Sequence, residues 1–277
     1  VRRKDMETTA RAEESGRSVL SRGIAVLKRE GPLEFARRLV NFAFRVTGLT
    51  PVRYYLLHVY CKVFKSRWEF EFDGGRYRYF FHPYNVTFNN ERCVEIPIAR
   101  KFLAEFENRD VLEVGSVLPH YLDFAHDVVD KFEKREGVIN EDIVDFSPDR
   151  KYDLVISIST LEHVGWDEDR DPPKIERAFA KLETLVKPGG KAVVTLPLGH
   201  NPYLDELLRS GRLEFTRVHL MKRVSRDNRW IELPASELGG LIRPTYGRPF
   251  PSANYLVIGV IEKNEPVDSS DSRENGL

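Results

Sequence analysis

A glycine turn, an aspartate and two histidines stand out because each closes an apolar run. From Asp110 to Asp130 the chain reads DVLEVGSVLPHYLDFAHDVVD. Val111, Leu112 and Val114 predict a buried strand that Gly115 breaks into a turn. After a short spacer, Val128 and Val129 predict a second strand, closed by Asp130. A strand, a turn, a crossover and a second strand ending in an acid bring turn and acid together at the carboxyl edge of a parallel sheet. An aspartate placed there can accept both hydroxyls of a ribose; its competing role is that of a capping or surface acid. His163 follows the apolar strand Tyr152 to Ser157, and His200 follows the strand Lys191 to Leu196. An imidazole pKa of about 6.5 suits either ring to take a proton near neutrality.

The elements that must position these groups are legible in order. Residues 1–17 are polar and charged. Three amphipathic helical patterns follow between Val19 and Phe64, separated at Gly31-Pro32 and at Gly48 to Pro51. Leu20, Ile24 and Leu27 mark the first stripe; Phe35, Ala36, Leu39, Val40 and Ala43 the second; Leu56, Val59, Tyr60, Val63 and Phe64 the third. Trp68 to Phe81 alternates Phe70 and Phe72 with Glu69 and Glu71, turns at Asp73-Gly74-Gly75, and alternates back, which predicts a hairpin. A helix is expected over Cys93–Phe106, a short third core strand within Gly137–Phe146, and a helix over Pro173–Leu185 that Pro188-Gly189-Gly190 breaks. Helical signals recur at Leu204–Leu208, and strands are expected at Leu213–Phe215, Trp230–Glu232 and Tyr255–Ile261. The last sixteen residues are polar, low in apolar content, and read as disordered.

Composition sets the class. Hydrophobic residues make up 41% and charged residues 31% of the 277, the balance of a soluble globular protein. The net charge is zero but uneven: residues 1–67 carry 15 Lys and Arg against 6 Asp and Glu, and the remainder carries the compensating excess of acid. A basic arm on an acidic body follows. Its stripes read as packing on the main domain or on a second copy, or as a basic, aromatic-rich surface that rests on anionic lipid or holds a lipid-linked substrate. Nucleic acid is not expected, because the basic residues come without a reading motif. Cys61 and Cys93 stand far apart, which indicates neither a disulfide framework nor a cysteine-based metal site and makes a reducing cytoplasm the default. The most apolar stretch, Leu39 to Tyr60, is interrupted by Arg45 and Arg53, so no membrane span is expected. The acids of Asp167 to Asp171 lack paired ligands from another element and read as a solvated loop, with no metal expected.

Taken together, these motifs resemble the class I S-adenosylmethionine-dependent methyltransferases over about residues 93–261. VLEVG stands where that family has its first strand and glycine turn, Asp130 where the ribose-binding acid falls, and Asp142-Ile143 where an acid and an apolar residue flank the adenine. YDLVISISTLEHV and LVKPGGKAVVTLP resemble its fourth strand and the PGG-led fifth strand. More narrowly, EVGSVLPHY, VVDKFEK, INEDIVDF and STLEHVG are similar to a little-studied subgroup associated with surface-glycan synthesis. The turn departs from the family pattern, with Val117 and Pro119 in place of its second and third glycines. A left-handed backbone at a β-branched residue costs about 1–2 kcal/mol, so the loop is expected to take another path. Gly115 to Asp130 is also short of the roughly 20 residues of dinucleotide sites, so the first crossover helix is expected to be stunted. Both departures tell against a pyrophosphate, which needs a full set of backbone N–H groups.

The resemblance implies a doubly wound, mostly parallel, seven-stranded Rossmann-like α/β sheet with an N-terminal helical arm and a β-hairpin. The expected boundaries are 1–67 for the arm, 68–92 for hairpin and connector, 93–263 for the methyltransferase domain and 264–277 for the tail. It implies S-adenosylmethionine as cofactor, held by Glu113, Gly115, Ser116, Asp130, Asp142, Ile143 and backbone at Ser157, with Glu113 orienting the turn or reaching the ammonium through water. His163 and His200 are the candidate bases, unless positioning alone suffices. The expected reaction is methyl transfer to an oxygen, less readily a nitrogen, of a small-molecule or glycan acceptor. The alternatives are a fold relative without turnover that serves as a scaffold, and a nucleotide-sugar enzyme. The expected setting is cytoplasmic, with the basic arm at the inner membrane face; the oligomeric state stays open.

Overall fold

The computed structural model describes residues 27, 31–123, 125–167, 170–241 and 243–265. The stripe residues Leu20 and Ile24, the polar start, Glu168 and Asp169 of the acidic loop, and the tail beyond 265 lie outside the described residues. The chain divides into two compact units, one ending at Val59 and the other beginning at Tyr60, earlier than the boundary expected near residue 67. In the first unit α1 spans Pro32–Val46, with a proline in its first turn and Thr47 and Gly48 closing its end. The division falls inside α2, Thr50–Phe64. Leu39, Val40, Phe42 and Val46 of α1, and Leu56, Val59, Val63 and Phe64 of α2, are exposed. No described helix is long and apolar enough to cross a membrane.

The second unit opens with the hairpin β1 (Glu69–Phe72) and β2 (Gly75–Arg78), in the register its alternation predicts: Phe70 faces Tyr77, and Glu69 and Glu71 face Arg78 and Arg76. Those ion pairs are exposed and worth at most about 1 kcal/mol each. Phe70 and Phe72 are buried, and burial of each contributes about 1.5–3 kcal/mol, so the apolar face holds the hairpin down.

The core is one eight-stranded sheet. Its strands are β3 (Val111–Val114), β4 (Asp127–Val129), β5 (Val138–Ile139), β6 (Tyr152–Ile158), β7 (Val186–Pro197), β8 (Arg217–Arg223), β9 (Trp230–Leu233) and β10 (Tyr255–Glu262), in spatial order β5-β4-β3-β6-β7-β10-β8-β9. The first five run parallel and β10, β8 and β9 are antiparallel. The near-continuous apolar runs of β3, β6 and β7 need cover on both faces. Cys93, Ile96, Ala99 and Phe102 of α3 (Arg92–Glu105) join the hairpin aromatics in one core layer. Ile175, Ala178, Phe179 and Leu182 of α4 (Lys174–Leu185) and Leu204, Leu207 and Leu208 of α5 (Pro202–Arg209) build the other.

Two features differ from the sequence reading. The sheet has eight strands rather than seven, because Trp230–Leu233 adds an antiparallel edge beyond β8. No strand forms at Leu213–Phe215; the strand lies at Arg217–Arg223, where Leu220 and Met221 are buried between charged neighbours that disguise the run. Phe215 instead fills the space left by Gly259 in mid-β10, where an added Cβ would stand 2.2 Å from its ring. Both expectations for the first turn hold: Val117 keeps a right-handed backbone (φ −104°, ψ −52°), and the first crossover has shrunk to one 3-10 turn, Leu118–His120.

The Gly259–Phe215 contact gives a direct test. Gly259→Ala should lower stability by about 1–3 kcal/mol through overpacking. In a double-mutant cycle read by urea denaturation, part of that cost should vanish when Phe215 is already Ala.

Candidate active site

The strand order reverses beside β3: β4 and β5 lie on one side, β6 and β7 on the other. Such a switch point opens a crevice at the carboxyl ends of the strands. A cavity of 350 Å³ lies there, within the size range of small-molecule sites, lined among others by Gly115, Asp130, Phe132, Asp142, Ile143, Thr160 and His163. A wider groove of 1080 Å³ runs between the hairpin and β9, but it contains no strand end of the switch point and none of the candidate residues.

The turn after β3 is built around Glu113. Its side chain is fully buried. Oε1 accepts hydrogen bonds from the N–H groups of Val117 and Leu118, both at 2.7 Å, and Oε2 pairs with His126 Nε2 at 2.6 Å. This carboxylate gathers the amides that a glycine-rich turn would leave free for a ligand. Gly115 holds φ +90°, and a Cβ there would come 2.1 Å from Thr160 Oγ1, so only glycine lets the β3 turn close against the end of β6. Opposite, Ser159 has φ +38°, a conformation that costs a non-glycine residue about 1–3 kcal/mol. It is held by its N–H on the carbonyl and hydroxyl oxygens of Thr195 and by its hydroxyl on Glu95 Oε1 at 2.5 Å.

Asp130 stands on the cavity wall with its carboxylate already engaged. Oδ2 accepts from Ser116 N–H at 3.0 Å, and Oδ1 accepts from the N–H groups of Phe132 and Glu133 at 2.8 and 2.7 Å. Of about four acceptor positions on a carboxylate, three are filled by capping bonds and one is left toward the cavity. Asp142 also lines the cavity; Oδ2 receives Lys174 Nζ at 2.6 Å and Lys131 Nζ at 3.1 Å. Partial burial pushes its carboxyl up, but the two ammonium groups prevail and hold it below the usual range.

Of the residues singled out in the sequence, Gly115, Asp130, Asp142, Ile143 and His163 line the cavity. Glu113 lies behind its wall, as does Ser157, whose hydroxyl donates to Val114 O at 2.9 Å. Ser116 is buried, gives its N–H to Asp130, and keeps its hydroxyl without a partner among the described residues. His200 stands beside the cavity, its ring 4.7 Å from that of His163. The sequence reading passed over Thr160, Lys131 and Phe132. Lys131 and Phe132 directly follow Asp130, and Phe132 is an exposed aromatic beside a ribose-type acid, a signal visible in the sequence.

Asp167, from the acidic loop, joins the two histidines. His163 Nδ1 and His200 Nε2 (3.1 Å) both contact its Oδ2. Burial raises Asp167, but the hydrogen bonds from both rings outweigh it and bring its carboxyl below the ordinary value. Glu162, buried next to His163, is pushed well up by desolvation. With Glu91 and Glu95 it forms a buried acidic group around Arg92, whose guanidinium bonds Glu95 Oε2 at 2.7 Å.

Residues 119–194, which include Asp130, Asp142 and His163, match the family model described as a methyltransferase domain. A methyltransferase domain is thus matched over about a quarter of the chain, and the sheet order and switch-point cavity are those expected from its class I motifs. Among solved structures it is similar to the N-methyltransferase NodS of Bradyrhizobium japonicum bound to S-adenosylhomocysteine, at 14% identity over 63% of this chain and 88% of that one, TM-score 0.39. It is also similar to the 1,6-didemethyltoxoflavin-N1-methyltransferase of Burkholderia thailandensis (16% identity, 61% and 77% coverage, TM-score 0.38). A third is the sugar N-methyltransferase KedS8 of Streptoalloteichus sp (14%, 61% and 87%, TM-score 0.32). No curated protein matches the chain.

The cavity fits the methyl donor in its donor set: one free acceptor position on Asp130 toward ribose hydroxyls, the Asp142 carboxylate with Ile143 for an adenine, and a Gly115 surface with no Cβ in the way. Asp130→Asn sets an amide among three N–H donors. Binding of S-adenosylhomocysteine, measured by calorimetry, should weaken by about 10- to 100-fold, the scale of one hydrogen bond to a charged group.

Proposed function

We propose that this methyltransferase alkylates a hydroxyl oxygen, and less readily a nitrogen, of a small or glycan-type acceptor. The observation that carries the reading is His163, which lines the donor cavity while Asp167 holds its Nδ1. A carboxylate-held imidazole at the place where donor and acceptor meet suits proton removal from a hydroxyl. In the reaction the acceptor oxygen attacks the methyl carbon in line, the carbon–sulfur bond breaks, and sulfur keeps the electron pair. The hydroxyl proton leaves to the His163 side of the cavity. Bound donor supplies the activated methyl group; the chain supplies alignment and exclusion of water.

His163→Gln should lower kcat on a hydroxyl acceptor by about 100-fold and leave the affinity for S-adenosylhomocysteine unchanged. Turnover of amine acceptors that survives while hydroxyl acceptors are inert would favour the nitrogen reading. A wild-type protein with no calorimetric signal for donor or product would favour the scaffold.

The exposed apolar residues Leu39, Val40, Phe42 and Val46 share α1 with Arg38 and Arg45, a pairing that supports contact with an anionic membrane on the cytoplasmic side. Binding to vesicles containing phosphatidylserine should fall as salt is raised. It should weaken further in the Arg38→Glu, Arg45→Glu, Arg53→Glu variant, at about 1 kcal/mol per basic residue; unchanged binding would remove this localisation.

A further inference from the structure

We propose that His163, Asp167 and His200 form a binding site for a divalent transition-metal ion at the mouth of the donor cavity. One face of the ion is left open for an oxygen of the acceptor. The site deepens the proposed function and rests on it for the acceptor's position; the binding of the ion itself does not.

The acids of 167–171 lack a second ligating element in the sequence, and the fold supplies one. His163 ends the 3-10 turn Leu161–His163 after β6, Asp167 follows four residues later, and His200 lies in the loop after β7, the parallel neighbour of β6. One ligand atom from each residue lies within 4.8 Å of the other two. Ligands on an ion at about 2.0–2.2 Å stand roughly 3–4 Å apart, so small ring movements would seat one. Two imidazoles aimed at the same carboxylate oxygen, from separate loops, make a set of two nitrogens and one oxygen. That set suits zinc, cobalt, nickel, manganese or iron better than calcium or magnesium.

The aim of the ligands is fixed by the cap of α5 and by the glycine turn before it. Asn201, fully buried, donates from Nδ2 to the carbonyl of Glu162 at 3.0 Å. Its Oδ1 accepts the N–H groups of Tyr203 and Leu204, so it bolts the His163 turn to the His200 loop. Gly199 sits at φ +87°, where a Cβ would be 2.4 Å from Tyr246 N, and its N–H is held by both oxygens of Asp205 at 3.1 and 3.0 Å. Burial pushes the Asp205 carboxyl up to about 6.

A ligating histidine ordinarily has a carboxylate behind its other nitrogen. Glu162 is 2% exposed, and its Oε1 lies 3.6 Å from His163 Nε2. Its Oε2 has no hydrogen-bond partner among the described residues. Three protein ligands leave coordination positions free, the pattern of a site that handles substrate rather than one that only braces the fold. Because His163 also lines the donor cavity, an ion here would hold an acceptor hydroxyl beside the methyl group and lower its pKa, so that with the ion bound the proton would leave to solvent in place of the imidazole. Acceptors with two adjacent oxygens, able to chelate, fit such a site best.

The test is direct binding to the full-length protein after treatment with a chelator. Titration with Co2+ should give visible d–d bands of one bound ion per chain, and Zn2+ should compete for it. Asp167→Asn and His200→Gln should each weaken the ion by at least about 10-fold, and the double variant should abolish the bands while still binding S-adenosylhomocysteine. Absence of cobalt bands and of zinc heat in the wild type overturns the site, as does equal binding by the double variant. Ion binding without any affinity for donor or product would leave the site standing and sink the methyl-transfer reading, so the two fail separately.

Discussion

A single buried carboxylate, Glu113, decides the shape of the catalytic end of this protein. An acid taken wholly out of water is tolerable only when its acceptor positions are filled, and here two backbone N–H groups and the His126 ring fill them. The condition is mutual. Among the described residues the Leu118 amide has no other acceptor, and that of Val117 has only the Gly115 carbonyl at 3.1 Å. Once they are tied down, the crossover needs no long helix, and Gly115 is pressed against Thr160 so that strands β3 and β6 end on a common wall. The cavity follows from that closure.

The other wall is organised around Asn201 and Glu95. Asn201 joins two loops that carry a histidine each, and Glu95 accepts from Ser159 and Thr195 across the ends of β6 and β7. Both side chains are fully buried, so removing either would strand several polar groups at once. The arrangement places rigid, hydrogen-bonded supports behind groups that remain partly exposed, such as His163 and Asp167, which is how a reactive face stays aligned without being sealed from its substrate.

Much of this was legible in the residues. Apolar runs closed by Gly115 and Asp130 gave β3 and β4 and their meeting point, and the alternation from Trp68 to Phe81 gave the hairpin with its register. The detour at Val117 and the short crossover followed from steric cost and from counting. What stayed hidden depended on distant partners. Arg217–Arg223 carries too many charges to look like a buried strand, and only its position between β10 and β9 hides Leu220 and Met221. The second and third stripes of the arm predict helices, and helices form there, but periodicity does not say whether a stripe is covered. The approach of His200 to Asp167, 33 residues apart, is a property of adjacent parallel strands and has no local signature.

The filled carboxylate of Asp130 has a thermodynamic corollary. A nucleoside arriving at this wall would find one free acceptor position on a carboxylate whose other three are held by the chain's own amides, so one hydroxyl would enter by addition and the second only by exchange. For the exchange, the net attraction is the difference between two sets of similar bonds. The second hydroxyl would therefore add little to the hold, and the first would carry the sugar's share. Were a nucleoside to leave, the peptide N–H groups of residues 132 and 133 would take back the position it had occupied.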